Sequence, residues 1–139
     1  MMKEKIKKLR KLISLHNLDG YIIPKNDAYF SEFSSPDRLK IISNFSGSAG
    51  FAIILKKKNY LFVDGRYTIQ AQKESGRNFT IIETHKKLPK KFIKDLNLGF
   101  DPKLFTSKTL KKYFQGNNFI SINENLIDQI SKFREKETK

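Results

Sequence analysis

The chain has 139 residues, no cysteine, and a formal net charge of +14 from 28 basic and 14 acidic side chains. That length fits one domain with a core that needs no staples. The missing cysteines exclude a disulfide framework and thiolate metal sites, and they fit a reducing compartment. No apolar run approaches the roughly 20 residues that span a bilayer, and the basic N-terminus lacks the apolar core and cleavage site of a signal peptide.

Residues 3–17 predict an amphipathic helix, with Ile6, Leu9, Leu12, Ile13 and His16 at helical spacing and lysines on the other face. Gly20 suits a left-handed cap after it. "YIIP", Tyr21 to Pro24, reads as a buried strand. A loop follows, then a short helix with Ser35 as cap, Pro36 in its first turn, and Leu39 and Ile42 facing inward. "FAIIL" and "YLFV" are strands joined by "KKKN" as a hairpin. Asp64 is placed to cap a helix covering Tyr67 to Glu74, which Gly76 ends. "FTIIE" is a further strand. Pro89 opens a predicted helix with Phe92, Ile93 and Leu96 on one face. "LGFD" is a short strand, Thr106 or Ser107 caps a helix carrying Leu110, Tyr113 and Phe114, and "NFISI" is the last strand. "ENLIDQISKF" closes the pattern as a helical segment. Strands alternate with helices except at the central hairpin, which predicts an α/β domain around a mixed sheet of about five to six strands.

The charge has a sharp reading, a binder of nucleic acid or anionic membrane, and a bland one, a lysine-rich surface. Lysines occur in nearly every segment and far outnumber arginines, although base-edge readout favours arginine's planar fork. No RNP-like motif, zinc finger or phosphate loop is present. The bland reading is preferred, and a stand-alone basic module for acidic partners is kept as the alternative.

Catalytic chemistry is sparse. His16 reads as a packed or half-exposed histidine and His85 as a loop residue, and their spacing shows no metal pattern. G-x-S-x-G is absent. Asp27, Asp64 and Asp101 lie at or just past strand ends, where α/β proteins place sites, yet each also suits a cap or turn. "FSGSAG", Phe45 to Gly50, is a loop of small residues that lets another surface approach closely. Arg66 lies in a first helical turn, where a cation opposes the helix dipole, so helix stability does not explain it, and a salt bridge within the domain and a ligand contact both stay open.

"YIIPKNDAYFSEF", "ISNFSGSAGFAIIL" and "LFVDGRYTIQAQ", in this order, resemble the N-terminal domain of Xaa-Pro aminopeptidase (aminopeptidase P), the creatinase/prolidase N-terminal domain, in its larger three-domain cytosolic form. "GFDP" and "INENLIDQI" continue the likeness to about Ile130. Two positions depart from the family pattern: Tyr29 stands where relatives often carry histidine, and Phe62 where they have the tryptophan of "WTDGRY". The resemblance implies a ribonuclease-H-like fold for residues 1–130, with 131–139 a tail or the start of a linker. It implies no catalytic residue and no metal here: the two divalent ions, manganese in most relatives, belong to a catalytic domain that this chain is expected to lack. It further implies a cytoplasmic protein whose partners are the remaining domains of its polypeptide, a second copy in a homodimer, and a proline-containing peptide, with neither membrane nor nucleic acid. On this reading Arg66, Asp64, Tyr67, Phe45, Ser46, Gly47, Ser48 and Asp27 face the substrate cleft.

Overall fold

Apolar residues at successive positions along the strands send alternate side chains to opposite faces of one sheet. The computed structural model describes residues 2–25, 38–47 and 50–130. Six strands form that sheet: β1 (Gly20–Pro24), β2 (Phe51–Leu55), β3 (Asn59–Val63), β4 (Thr80–Glu83), β5 (Asn97–Phe100) and β6 (Asn118–Ser121), in the order β4-β3-β2-β1-β5-β6. β2 alone runs against its neighbours and all other pairings are parallel. The β2–β3 hairpin turns through Lys56, Lys57 and Lys58, with the Leu55 amide donating to the Lys58 carbonyl.

The two faces divide the core. Tyr21, Ile23, Ala52, Ile54, Leu61 and Val63 point to one side, under α1 (Met2–Leu15), α2 (Arg38–Ser43), α3 (Thr68–Ser75) and the helical residues 126–130. Ile22, Ile53, Phe62 and Leu98 point to the other side, where Ile93 and two residues of α4 (Ser107–Phe114), Leu110 and Phe114, cover them. Each valine, leucine, isoleucine or phenylalanine among them contributes about 1.5–3 kcal/mol before entropy is charged against it.

The end of α1 differs from the expectation that Gly20 makes its left-handed turn. Asn17 ends α1 at φ 59°, with the Leu18 amide donating to the Ile13 carbonyl and the Asn17 amide to the Ser14 carbonyl. This is a Schellman closure, and asparagine tolerates the conformation nearly as well as glycine. Asn44 ends α2 at φ 69° in the simpler left-handed motif, its amide donating to the Lys40 carbonyl at 2.8 Å. Gly20 lies instead inside β1, where a Cβ would stand 2.9 Å from the Ile54 carbonyl oxygen. His16 falls just beyond α1 and is exposed.

The helix expected from Pro89 is a correction. Only one 3-10 turn forms, Pro89–Lys91, and the backbone then reverses at Asp95 with φ 59°. Asn117 holds this stretch down: its Oδ1 accepts from the Leu96 amide, and its Nδ2 donates to the Ile93 and Phe114 carbonyls. The short helix after Ser35 is observed only from Arg38 onward; its expected cap and first turn lie outside the described residues.

The chain returns to the sheet through a polar cluster. Arg38 makes two parallel hydrogen bonds to Asp128, both 2.9 Å, with the arginine side chain only 13 % exposed. Burial works against that charge, but the bonds to Asp128 outweigh it and hold the guanidinium pKa above its ordinary value. The buried Tyr21 hydroxyl accepts from the Leu126 amide, and burial pushes this phenol up. Buried Asp101 accepts from Asn125 Nδ2 and from the Lys103 amide, so its work is structural capping, as the plainer sequence reading held.

Candidate functional site

With β2 reversed, the amino end of β2 and the carboxyl ends of the five parallel strands share one edge of the sheet. That edge carries the small-residue loop before β2 and the Asp-Gly-Arg-Tyr turn after β3. Carboxyl edges of parallel strands are where α/β proteins bind ligands.

The turn begins with Asp64, whose extended backbone and side chain cap a 3-10 turn over Gly65–Tyr67; α3 follows. Asp64 Oδ1 accepts from the Arg66 amide at 2.9 Å and from Arg66 Nε at 3.2 Å. The backbone bond first, and the side-chain bond next, keep the Asp64 carboxyl below its usual range. His85 Nε2 lies 3.7 Å from the other carboxylate oxygen. Arg66 is therefore oriented by its own cap and by the Tyr67 ring, 5.4 Å beneath the guanidinium carbon. Its side chain remains 76 % exposed, so most of its five donors face solvent. A Cβ at Gly65 would meet the end of the Glu83 side chain, which has to move to admit one.

The loop is built around Phe45, which has no exposed surface. Its ring meets Tyr67 edge-to-face at 6.1 Å, joining the loop to the arginine turn. Gly47 is buried against the same ring, and a Cβ there would collide with it. Gly50 has φ +147°, with the Phe62 carbonyl oxygen 2.9 Å from where a Cβ would stand. Ser43 and Ser75, both buried, bind α2 to α3 beneath the loop: Ser75 Oγ donates to the Ser43 carbonyl at 2.7 Å.

The structure adds Glu74, a residue that sequence reasoning passed over. Its Oε1 accepts from the Ser46 amide at 2.9 Å and its Oε2 from the Ser46 hydroxyl at 2.7 Å. Gln70 Nε2 donates to Ser46 Oγ and to Glu74 Oε1. The Ser46 amide is the main reason the Glu74 carboxyl sits below its ordinary pKa; burial opposes it, while the Ser46 hydroxyl, Gln70 and Lys40 assist. No local pattern marks Glu74, since it occupies an ordinary helix position and its partner lies 28 residues away.

Of the residues nominated from sequence, Phe45, Ser46, Gly47, Asp64, Arg66 and Tyr67 are thus brought together on one edge. Phe45 and Gly47 act as its interior support, while Ser46 and Arg66 are exposed. Asp27 and Ser48 lie outside the described residues. Among the described residues no group of three metal-ligating side chains exists.

The class these features define is an α/β domain whose mixed sheet presents a braced small-residue loop beside an exposed arginine. Residues 5–134 match the Creatinase/Prolidase N-terminal domain, and the chain belongs to that family. A probable Xaa-Pro aminopeptidase P of Penicillium rubens is 35 % identical over 91 % of the chain. The X-prolyl aminopeptidase of Caenorhabditis elegans, a cytosolic enzyme with a di-nuclear active site, superposes with a TM-score of 0.74 at 26 % identity over 93 % of the chain. A Streptococcus thermophilus Xaa-Pro aminopeptidase chain matched over 98 % of its own length and 94 % of this one has a TM-score of 0.69 at 17 % identity, a likeness of fold alone. The chain spans only 23 % of the Penicillium protein and 25 % of the nematode one.

Proposed function

We propose that this chain is the non-catalytic N-terminal domain of a metal-dependent Xaa-Pro aminopeptidase, which releases the N-terminal residue preceding proline. In that reading the edge carrying Ser46, Gly47 and Arg66 forms one wall of the substrate cleft. The single observation that carries the proposal is the exposed Arg66 guanidinium, steered by Asp64 and Tyr67 beside a loop with small side chains. A guanidinium so placed suits the carbonyls or carboxylate of a peptide through charge-assisted hydrogen bonds. The reacting groups, two divalent ions with manganese the expected metal, belong to further domains of the polypeptide, and so does metal-activated attack on the scissile bond. A cytoplasmic location and a homodimer of the whole protein complete the proposal.

Two measurements test it. Purified chain with manganese and an Xaa-Pro peptide is expected to show no turnover above blank; turnover contradicts the non-catalytic assignment. In the complete peptidase, Arg66→Ala is expected to lower kcat/KM by about 10–100-fold, the equivalent of roughly 1.5–3 kcal/mol. Unchanged kinetics would remove Arg66 from the cleft.

A further inference from the structure

Lys3, Lys7 and Arg10 stand at i, i+4 and i+7 of α1, along one stripe of the helix. Like charges stacked this way destabilise a helix. A cavity of about 300 Å³ opens beside them, lined by these three cations with Ile6, Asn59 and Asn78. Arg10 is its fixed member. Its Nε donates to the Leu55 carbonyl at 2.9 Å and its Nη2 to Asn59 Oδ1 at 2.6 Å, while Asn59 Nδ2 donates to the Asn78 carbonyl. Both acceptors are neutral oxygens, and among the described residues no carboxylate pairs with Arg10. Partial burial without a counter-charge draws its pKa down. A partly desolvated cation in that position is costly until an anion arrives.

A second hollow, about 510 Å³, continues from Lys7 and Arg10 past Lys11 and Ser14 to Leu15. Leu15 is 77 % exposed, one of two large apolar side chains so open among the described residues. The groove is cationic at one end and apolar at the other. Leu55, Asn59 and Asn78 place it at the sheet edge opposite the Arg66 turn, so it is separate from the peptide wall.

We propose that this groove binds a linear phosphate chain, held along Lys3, Lys7 and Arg10, with an attached ring system resting against Leu15. The three cations cover about 10 Å of helix, the reach of successive phosphates and more than a single carboxylate needs. Arginine's planar fork matches phosphate oxygens, and the two lysines supply point charges. The phosphates come from a nucleoside triphosphate or from a single-stranded nucleic-acid backbone; the chemistry is shared and the titrations separate the sources.

The test is calorimetric titration of the whole chain, at physiological salt, with tripolyphosphate, a nucleoside triphosphate and a short single-stranded oligonucleotide. Saturable binding of at least one is expected. The double variant Lys3→Gln/Lys7→Gln is expected to weaken it by about tenfold or more, whereas Lys108→Gln/Lys111→Gln, with equal charge loss on α4, is expected to leave it within about twofold. Arg10→Gln is expected to weaken it similarly; its folding is checked by circular dichroism, and the exposed lysine pair decides if it unfolds. Saturation by the triphosphates assigns a nucleotide, and saturation by the oligonucleotide alone assigns a nucleic-acid backbone. Leu15→Ser is expected to weaken the nucleoside triphosphate and spare tripolyphosphate; an equal effect on both overturns the Leu15 contact. Absence of saturation by all three, or equal losses in the two lysine pairs, overturns the site.

Discussion

Glu74 grips Ser46 twice, through the backbone amide and through the hydroxyl, and so ties the small-residue loop to α3. Ser46 is therefore held by a carboxylate on the helix that follows the Arg66 turn. Glu74→Ala is expected to cost about 1 kcal/mol, a modest figure because these bonds are exposed to solvent. Urea denaturation gives the energy, and hydrogen exchange at the Ser46 amide should accelerate in the variant. An unchanged exchange rate would show that the loop is held by something else.

Acid should loosen the same joint. The Glu74 carboxyl has its folded pKa below the unfolded value, so the unfolded chain binds more protons at acidic pH. Its stabilising contribution is fully present above the ordinary glutamate range and is lost as the pH falls through the lowered folded value. Stability measured from neutral pH down to about pH 3 should decline in the parent more steeply than in Glu74→Gln. Parallel curves would refute this.

Gly47→Ala forces a methyl group into the Phe45 ring, which lies buried with no free side to yield toward. Overpacking of this kind costs about 1–3 kcal/mol. Thermal unfolding should show a lowered Tm, with Gly65→Ala milder, because the colliding group there is the end of the Glu83 side chain. The reverse ranking would mean that Phe45 has room to move.

Arg66→Ala should leave stability within about 0.5 kcal/mol, since the side chain is exposed and surface pairs contribute little. This separates it from Asn117→Ala, which removes three hydrogen bonds beneath α4 and should cost about 1–3 kcal/mol. Comparing the two by denaturant midpoint checks both; a large loss at Arg66 would recast it as a structural pair.

The two strands of the hairpin were readable from sequence because their signals are local: apolar runs, a lysine-rich turn, a capping aspartate. α4 was readable for the same reason, with Thr106 the one of the two candidate caps, Thr106 or Ser107, that the structure uses. The segment after Pro89 was misread because its apolar spacing is helical while its conformation is imposed from Asn117, more than 20 residues away. Arg66 stood out because a cation in a first turn lacks a local rationale. Glu74 and Arg10 did not, since a glutamate or arginine on an amphipathic helix looks like solvent decoration until its distant partner is known.

Arg38 and Asp128 have a mechanical consequence. Their paired bonds fasten the helical residues 126–130 to α2, and the Tyr21 hydroxyl on the Leu126 amide fastens them to β1 at the centre of the sheet. A load applied beyond residue 130 would be transmitted into β1 without first unravelling those residues.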